Sequence, residues 1–142
     1  MPLTADADIK ALLQSTKTIA LVGASPKPER DSNRVMAYLL ARGYQVIPVN
    51  PGLVGQAIHG VPVAATLADI GSPVDLVDIF RNSEAAGDVV DEAIVARAGA
   101  VWMQLGVINE DAAERAETAG LQVVMDRCPK IEIPRLLGTL SS

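Results

Sequence analysis

Thr18-Ile19-Ala20-Leu21-Val22-Gly23-Ala24-Ser25, followed by Pro26-Lys27-Pro28-Glu29-Arg30-Asp31 and the run from Ser32 to Arg42, decides the fold. Thr18 to Val22 is nearly all apolar without alternation, which is how a strand covered on both faces reads. Gly23 turns the chain, a proline-rich polar loop follows, and helical spacing resumes at Val35, Met36, Leu39 and Leu40. A strand, a loop and a helix start in this order suit an anion. The first N–H groups of a helix lack intrahelical partners, and its dipole presents a positive end. Lys27, Arg30 and Arg34 add three cations to the same stretch.

The alternation continues on both sides. Upstream, Thr4 is expected to cap a helix with Asp6 and Asp8 in its first turn and Ile9, Leu12 and Leu13 on one face, covering a sheet edge. Downstream, Gly43 closes the helix and Tyr44 to Val49 forms a second strand ending in the turn Asn50-Pro51-Gly52. In the extended piece Ile58 to Val63, Pro62 excludes a central strand, and Thr66 caps a single turn that stops at Gly71. Val74 to Phe80 is a third strand. Ser83 is expected to cap a helix carrying Ala86, Val89, Val90, Ala93, Ile94 and Arg97 on one face and ending at Gly99. Ala100 to Leu105 is a fourth strand, Asn109 caps a helix that ends at Gly120, Leu121 to Met125 is a fifth strand, and Lys130 to Leu137 folds as a last short helix. Strand and helix succeed each other at the spacing of βα units, which implies right-handed crossovers. The expected architecture is α/β: a Rossmann-like, doubly wound, mainly parallel five-stranded sheet with helices on both faces. Residues 1–142 read as one domain, with no internal repeat or linker.

Composition narrows the function. At 142 residues with 49% hydrophobic and 20% charged content, the chain can fill one core. A net charge of −5 argues against nonspecific nucleic-acid binding, which needs a broad cationic surface. Aromatic residues, 3% of the chain, are too few to build a stacking platform for single strands. No apolar run reaches the roughly 20 residues that span a bilayer, and the start Met1-Pro2-Leu3-Thr4-Ala5-Asp6 lacks the pattern of a signal peptide. The lone Cys128 cannot form an internal disulfide. A cytoplasmic protein is the expectation, with a small-molecule ligand and neither a nucleic-acid nor a membrane partner.

In an open parallel sheet the ligand lies outside the carboxyl ends of the strands, where the strand order reverses. Those ends are Gly23-Ala24-Ser25, Asn50-Pro51-Gly52, Phe80-Arg81-Asn82, Gln104-Leu105-Gly106 and Asp126-Arg127-Cys128. A dinucleotide is the default ligand of the fold, but the G-x-G-x-x-G turn is missing after Gly23, and Asn50 stands where an acidic ribose reader belongs. The longer, cationic loop suits a ligand with more phosphate. Arg34, placed in the first helical turn, is expected to grip a phosphate bidentately. Gln104 at a buried strand end needs a hydrogen-bond partner that a ligand could supply, whereas Trp102 reads as core and His59 as a loop cap.

Taken together, Val22-Gly23-Ala24-Ser25, Val49-Asn50-Pro51, Val74-Asp75-Leu76-Val77-Asp78-Ile79-Phe80-Arg81, Val101-Trp102-Met103-Gln104-Leu105-Gly106-Val107 and Asp126-Arg127-Cys128 resemble the small stand-alone CoA-binding proteins of bacteria. These are similar in fold to the CoA-binding domain of the succinyl-CoA synthetase α-subunit. The resemblance runs from about residue 10 to the end and implies coenzyme A at the carboxyl edge of the sheet. It puts Gly23, Ala24, Ser25, Lys27 and Arg34 around the phosphates with Arg30 in the same cluster, Asn50 and Pro51 beside the adenosine, and Phe80, Arg81, Gln104, Leu105 and Gly106 along the rest of the ligand. The synthetases carry a phosphorylated histidine in a region beyond this domain. His59 lies in the wrong segment to replace it, so the resemblance implies binding without catalysis.

Two alternatives stay open: an NAD(P)-binding oxidoreductase, for which no catalytic residue stands out, and a regulatory module reporting CoA occupancy to a protein partner. Cys128, at a strand end, suggests a mixed disulfide with the CoA thiol. Asp75 and Asp78, three apart on one strand, point to opposite faces and make no acid/base pair, and no His/Cys/Asp spacing suggests a metal.

Overall fold

A computed structural model describes residues 1–139; the end of the expected domain, 140–142, lies outside the described residues. The main sheet has five parallel strands, β1 (Thr18–Val22), β2 (Gln45–Val49), β5 (Leu76–Ile79), β6 (Ala100–Met103) and β7 (Gln122–Val124), in the order β2-β1-β5-β6-β7. A small antiparallel hairpin, β3 (Ala57–Ile58) and β4 (Val61–Pro62), stands apart from it. Pro62 has no N–H for a ladder, which accounts for its place outside the main sheet.

Helices α1 (Asp6–Ser15), α2 (Asp31–Ala41) and α5 (Pro129–Leu137) cover one face, and α3 (Ser83–Val95) and α4 (Glu110–Thr118) cover the other. The unbroken apolar reading of β1 is realised as five buried residues, packed from both sides. Ile19 and Leu21 meet Leu13 of α1, Met36 and Leu39 of α2 and Ile133 of α5, while Ala20 and Val22 face the α3 and α4 side with Val90 and Ala116. Trp102 is fully buried in the first of these layers and donates its indole N–H to the carbonyl of Arg127 at 2.8 Å.

The architecture agrees with the sequence reading, with local corrections. Helix α1 packs against α5 with Ile9, Leu12 and Leu13 in the core of that face, and the segment before it meets the edge strand β7, where the Leu3 N–H donates to the Val123 carbonyl at 2.7 Å. The N-cap of α1 is Ala5, with no side-chain cap from Thr4. Asn82 caps α3 by accepting from the Ala85 N–H at 2.8 Å, while Ser83 instead accepts from the Ile108 N–H. Helix α3 ends at Val95, and Arg97 takes the left-handed conformation expected of Gly99. Gly99 is needed for a different reason: a Cβ there would lie 2.9 Å from the Asp75 carbonyl oxygen. Asp75 precedes β5, and its carboxylate accepts the N–H groups of Lys17 and Thr18, both at 2.9 Å.

The strand order reverses at β1, which pairs with β2 on one side and β5 on the other. Gly23 leaves β1 with φ +89°, and a Cβ there would sit 2.2 Å from the Phe80 carbonyl oxygen. Glycine thus lets the chain turn directly against the end of β5. Beneath this point Asp78 is fully buried, and neither carboxylate oxygen has a partner among the described residues. Burial pushes its pKa well above the ordinary carboxylate value.

Two outcomes follow for stability. Gly23→Ala has to displace the β5 end as well as adopt a disfavoured φ, so urea denaturation should show a loss of about 3 kcal/mol; wild-type stability would contradict the close approach. The folded state holds the Asp78 proton to higher pH than the unfolded chain does. This contribution is therefore complete below the ordinary carboxylate pKa and is lost as pH rises through the folded-state value. Asp78→Val should unfold at higher urea at pH 7, by about 1–3 kcal/mol, and with a weaker pH dependence than wild type. Destabilisation at pH 7 would instead mean that the carboxyl has a structural partner.

Candidate functional site

Three neighbouring clefts run along the carboxyl edge of the sheet. The first, about 770 Å³, lies at the reversal point and is lined by Gly23, Ala24, Ser25, Lys27, Arg30, Asn50, Phe80 and Arg81, with Glu29 and Asp31. The middle one, about 390 Å³, is lined by Arg34, Phe80, Gln104, Leu105, Cys128 and Lys130 among others. The far one, about 560 Å³, lies between the end of β7 and the N-terminal segment. Asp31 and Phe80 wall both the first and the middle cleft, and Leu105, Cys128 and Ile131 wall both the middle and the far one.

The loop after β1 is held by side chains from two other elements. Asn50 donates its amide N–H to the Ala24 carbonyl at 2.9 Å, and Asn33 of α2 donates to the Ser25 carbonyl at 3.0 Å. In a trans peptide the N–H points opposite to the C=O, so the bond to Ala24 directs the Ser25 N–H away from Asn50. Asn50 also accepts from the Gly52 N–H at 2.9 Å, so its side chain shapes the loop and its own turn together. Nothing in the sequence singles out Asn33, which reads as one more helical polar residue. Its fixed position becomes visible only with His59, whose Nε2 lies 3.1 Å from both the Asn33 carbonyl and its side-chain oxygen. His59 thus ties the β3–β4 turn to α2, beyond capping its own loop.

The cations divide into two sets. Arg34 is paired with Asp31 and donates to the Glu29 carbonyl at 2.9 Å, and it faces the middle cleft. Its charge is neutralised locally, and the phosphate grip expected of it has to compete with Asp31. Lys27, Arg30 and Arg81 are exposed on the first cleft and enter no salt bridge among the described residues. Helix α2 starts beside them with Arg30 as N-cap, so no side-chain oxygen blocks its first N–H groups. The structure brings Gly23, Ala24, Ser25, Lys27, Arg30, Asn50, Phe80 and Arg81 to one cleft and Arg34 and Gln104 to the next. Pro51 opens a short turn behind Asn50, and Gly106 donates its N–H to Asp126 at 2.7 Å; neither lines a cleft described above.

Gln104 is buried, and its Oε1 has no partner among the described residues. At the next strand end, Arg127 pairs with the buried Glu132 at 2.8 Å, and Arg135 joins Glu132 to Asp6. Burial alone would raise the Glu132 pKa, but Arg135 and Arg127 outweigh it and hold the carboxyl below its ordinary value. These charges brace α5 against α1 and the β7 end. Among the described residues no group of three or more His, Cys, Asp or Glu could hold a metal, and no helix is long and apolar enough to cross a membrane.

Comparison with known proteins agrees with this geometry. A family described as "CoA binding domain" matches residues 17–134. The chain is 39% identical to the uncharacterized protein YneT of Bacillus subtilis over 125 residues, 88% of this chain and 91% of that one. A hypothetical protein from Pyrococcus horikoshii superimposes with a TM-score of 0.91 at 42% identity, covering 97% of each chain. The dinucleotide-forming acetyl-coenzyme A synthetase 1 of Ca. Korarchaeum cryptofilum shares the fold at 23% identity and a TM-score of 0.67, over 78% of this chain and 26% of that one. By the match of residues 17–134 and the close likeness to YneT over nearly the whole of both proteins, the chain belongs to the CoA-binding domain family.

Proposed function

We propose that this chain is a single CoA-binding domain that holds coenzyme A, free or acylated, along the carboxyl edge of its sheet and performs no chemistry of its own. The observation that carries the reading is the cluster of Lys27, Arg30 and Arg81, unpaired around an uncapped helix start at the strand-order reversal. Coenzyme A has a diphosphate and a 3′-phosphate, so its nucleotide end asks for more cations than NAD does. The diphosphate belongs against the α2 start and the Ser25 N–H, and the adenosine belongs toward Asn50 and Pro51. The pantetheine arm then crosses the middle cleft, which Phe80, Gln104 and Leu105 line. Family membership supports the same ligand.

No pair of groups in these clefts has the form of a nucleophile with its base. The single histidine is engaged by Asn33, and Asp78 is sealed in the core. A cytoplasmic location fits a CoA ligand and a chain whose one cysteine is unpaired.

Calorimetric titration tests the assignment. CoA should bind tighter than dephospho-CoA, and Arg30→Ala and Arg81→Ala should each weaken CoA binding roughly tenfold, about the value of one charge-assisted phosphate contact. Arg34→Ala should cost less, because its guanidinium is already paired with Asp31. Equal affinity for the two ligands would remove the cationic cluster from the site.

A further inference from the structure

The far cleft lies beyond the two clefts assigned above to coenzyme A itself. It begins where the middle cleft ends, sharing Leu105, Cys128 and Ile131 with it, and continues between Leu3, Thr4 and Met125. Leu105 and Ile131 are about half exposed, at 54% and 52%, so the passage between the two clefts has an apolar, open rim. Three charged residues also line the far cleft. Asp126 accepts from the Gly106 N–H, and Arg127 and Glu132 pair with each other. Apart from Thr4, the rest of the wall is made of apolar side chains.

Direction follows from the strand order. A pantetheine arm leaving the phosphate cluster at β1 and β5 has two ways to go. Toward β2, the Asn50 side chain is committed to the Ala24 carbonyl and the Gly52 N–H. Toward β6 and β7, Phe80 and Asp31 open directly into the middle cleft, which Gln104 also lines. From β1 to β7 there are three strand spacings, about 14 Å, comparable with the reach of an extended pantetheine arm. Its sulfur then arrives at the rim formed by Leu105, Cys128 and Ile131, and whatever the sulfur carries enters the far cleft.

We propose that the far cleft is an acyl chamber, which makes the preferred ligand an acyl-CoA thioester with an aliphatic chain of short to medium length. This rests on the CoA reading given above. A cleft of about 560 Å³ is within the size range of small-molecule sites and far exceeds the needs of a free thiol.

The test is calorimetry with CoA, acetyl-CoA, butyryl-CoA and octanoyl-CoA on the full chain and on two variants. In the wild type, affinity rises along the series, by about two- to fourfold for each methylene that becomes buried, until the chamber is full. Thr4 is exposed and lines only the far cleft, so Thr4→Trp fills the chamber from a position that folding does not depend on. It should leave CoA affinity unchanged and abolish the gain with chain length. Ile131→Asp, also at an exposed position, should lower affinity for octanoyl-CoA more than for CoA. If CoA binds and the acyl series is flat or falling, the chamber is overturned while the CoA site stands. If chain length helps equally in Thr4→Trp, the acyl group lies elsewhere and the chamber is again overturned. If CoA itself fails to bind, the CoA assignment falls, and the chamber falls with it.

Discussion

The close approach of Gly23 to the Phe80 carbonyl is the constraint on which the edge depends. Because residue 23 has no Cβ, the chain leaves β1 at φ +89° and passes within contact of the β5 end. The first cleft opens there, where the sheet order reverses. A side chain at this position would force β1 and β5 apart or push the loop outward, and the cations after it would lose their common focus. The buried strand β1 makes the point rigid, since every one of its residues is packed from one face or the other.

Much of this was legible in the sequence because the signals were local. Unbroken apolar runs marked the parallel strands, Asn109 marked the start of α4, and Gly43 and Gly120 marked helix ends with positive φ. The errors came where two residues compete for one role. Asn82 and Ser83 are both good caps, and only the path of the Gly106 to Ile108 segment, which draws the Ser83 hydroxyl to the Ile108 N–H, decides between them. Similarly, Gly99 resembles a helix stop, but the helix has already ended at Val95. The glycine answers instead to the Asp75 carbonyl, a neighbour far away in sequence.

The site was legible in kind and less so in detail, for an electrostatic reason. A sequence counts cations but does not show which are already paired. Arg34 seemed the best placed, yet a residue three positions from Asp31 on a helix can pair with it, and it does. Arg81, by contrast, projects from the end of β5, whose own acidic residue Asp78 is buried in the core, and it enters no salt bridge among the described residues. Asn33 and His59 were missed as a pair because their contact joins segments 26 residues apart.

The loop also explains why this edge departs from dinucleotide recognition. In the glycine-rich turn the helix begins almost at once after the strand, and the ligand's diphosphate is met by backbone brought close through the absence of side chains. Here Gly23 to Arg30 separate the end of β1 from the start of α2, and Pro26 and Pro28 restrict the path between them. The helix start is set back from the strand end, and the intervening space is reached by Lys27 and Arg30 side chains. With coenzyme A as the proposed ligand, selection rests on the number and placement of charges more than on close backbone fit. Such exposed charges respond to salt, since the Debye length at physiological ionic strength is only about 8 Å. At the opposite end of the edge the half-exposed Leu105 and Ile131 stand beside Arg127 and Glu132, which are paired with each other. One row of strand ends thus offers charge at β1 and apolar surface at β7, an order that suits a ligand anionic at one end and hydrocarbon at the other.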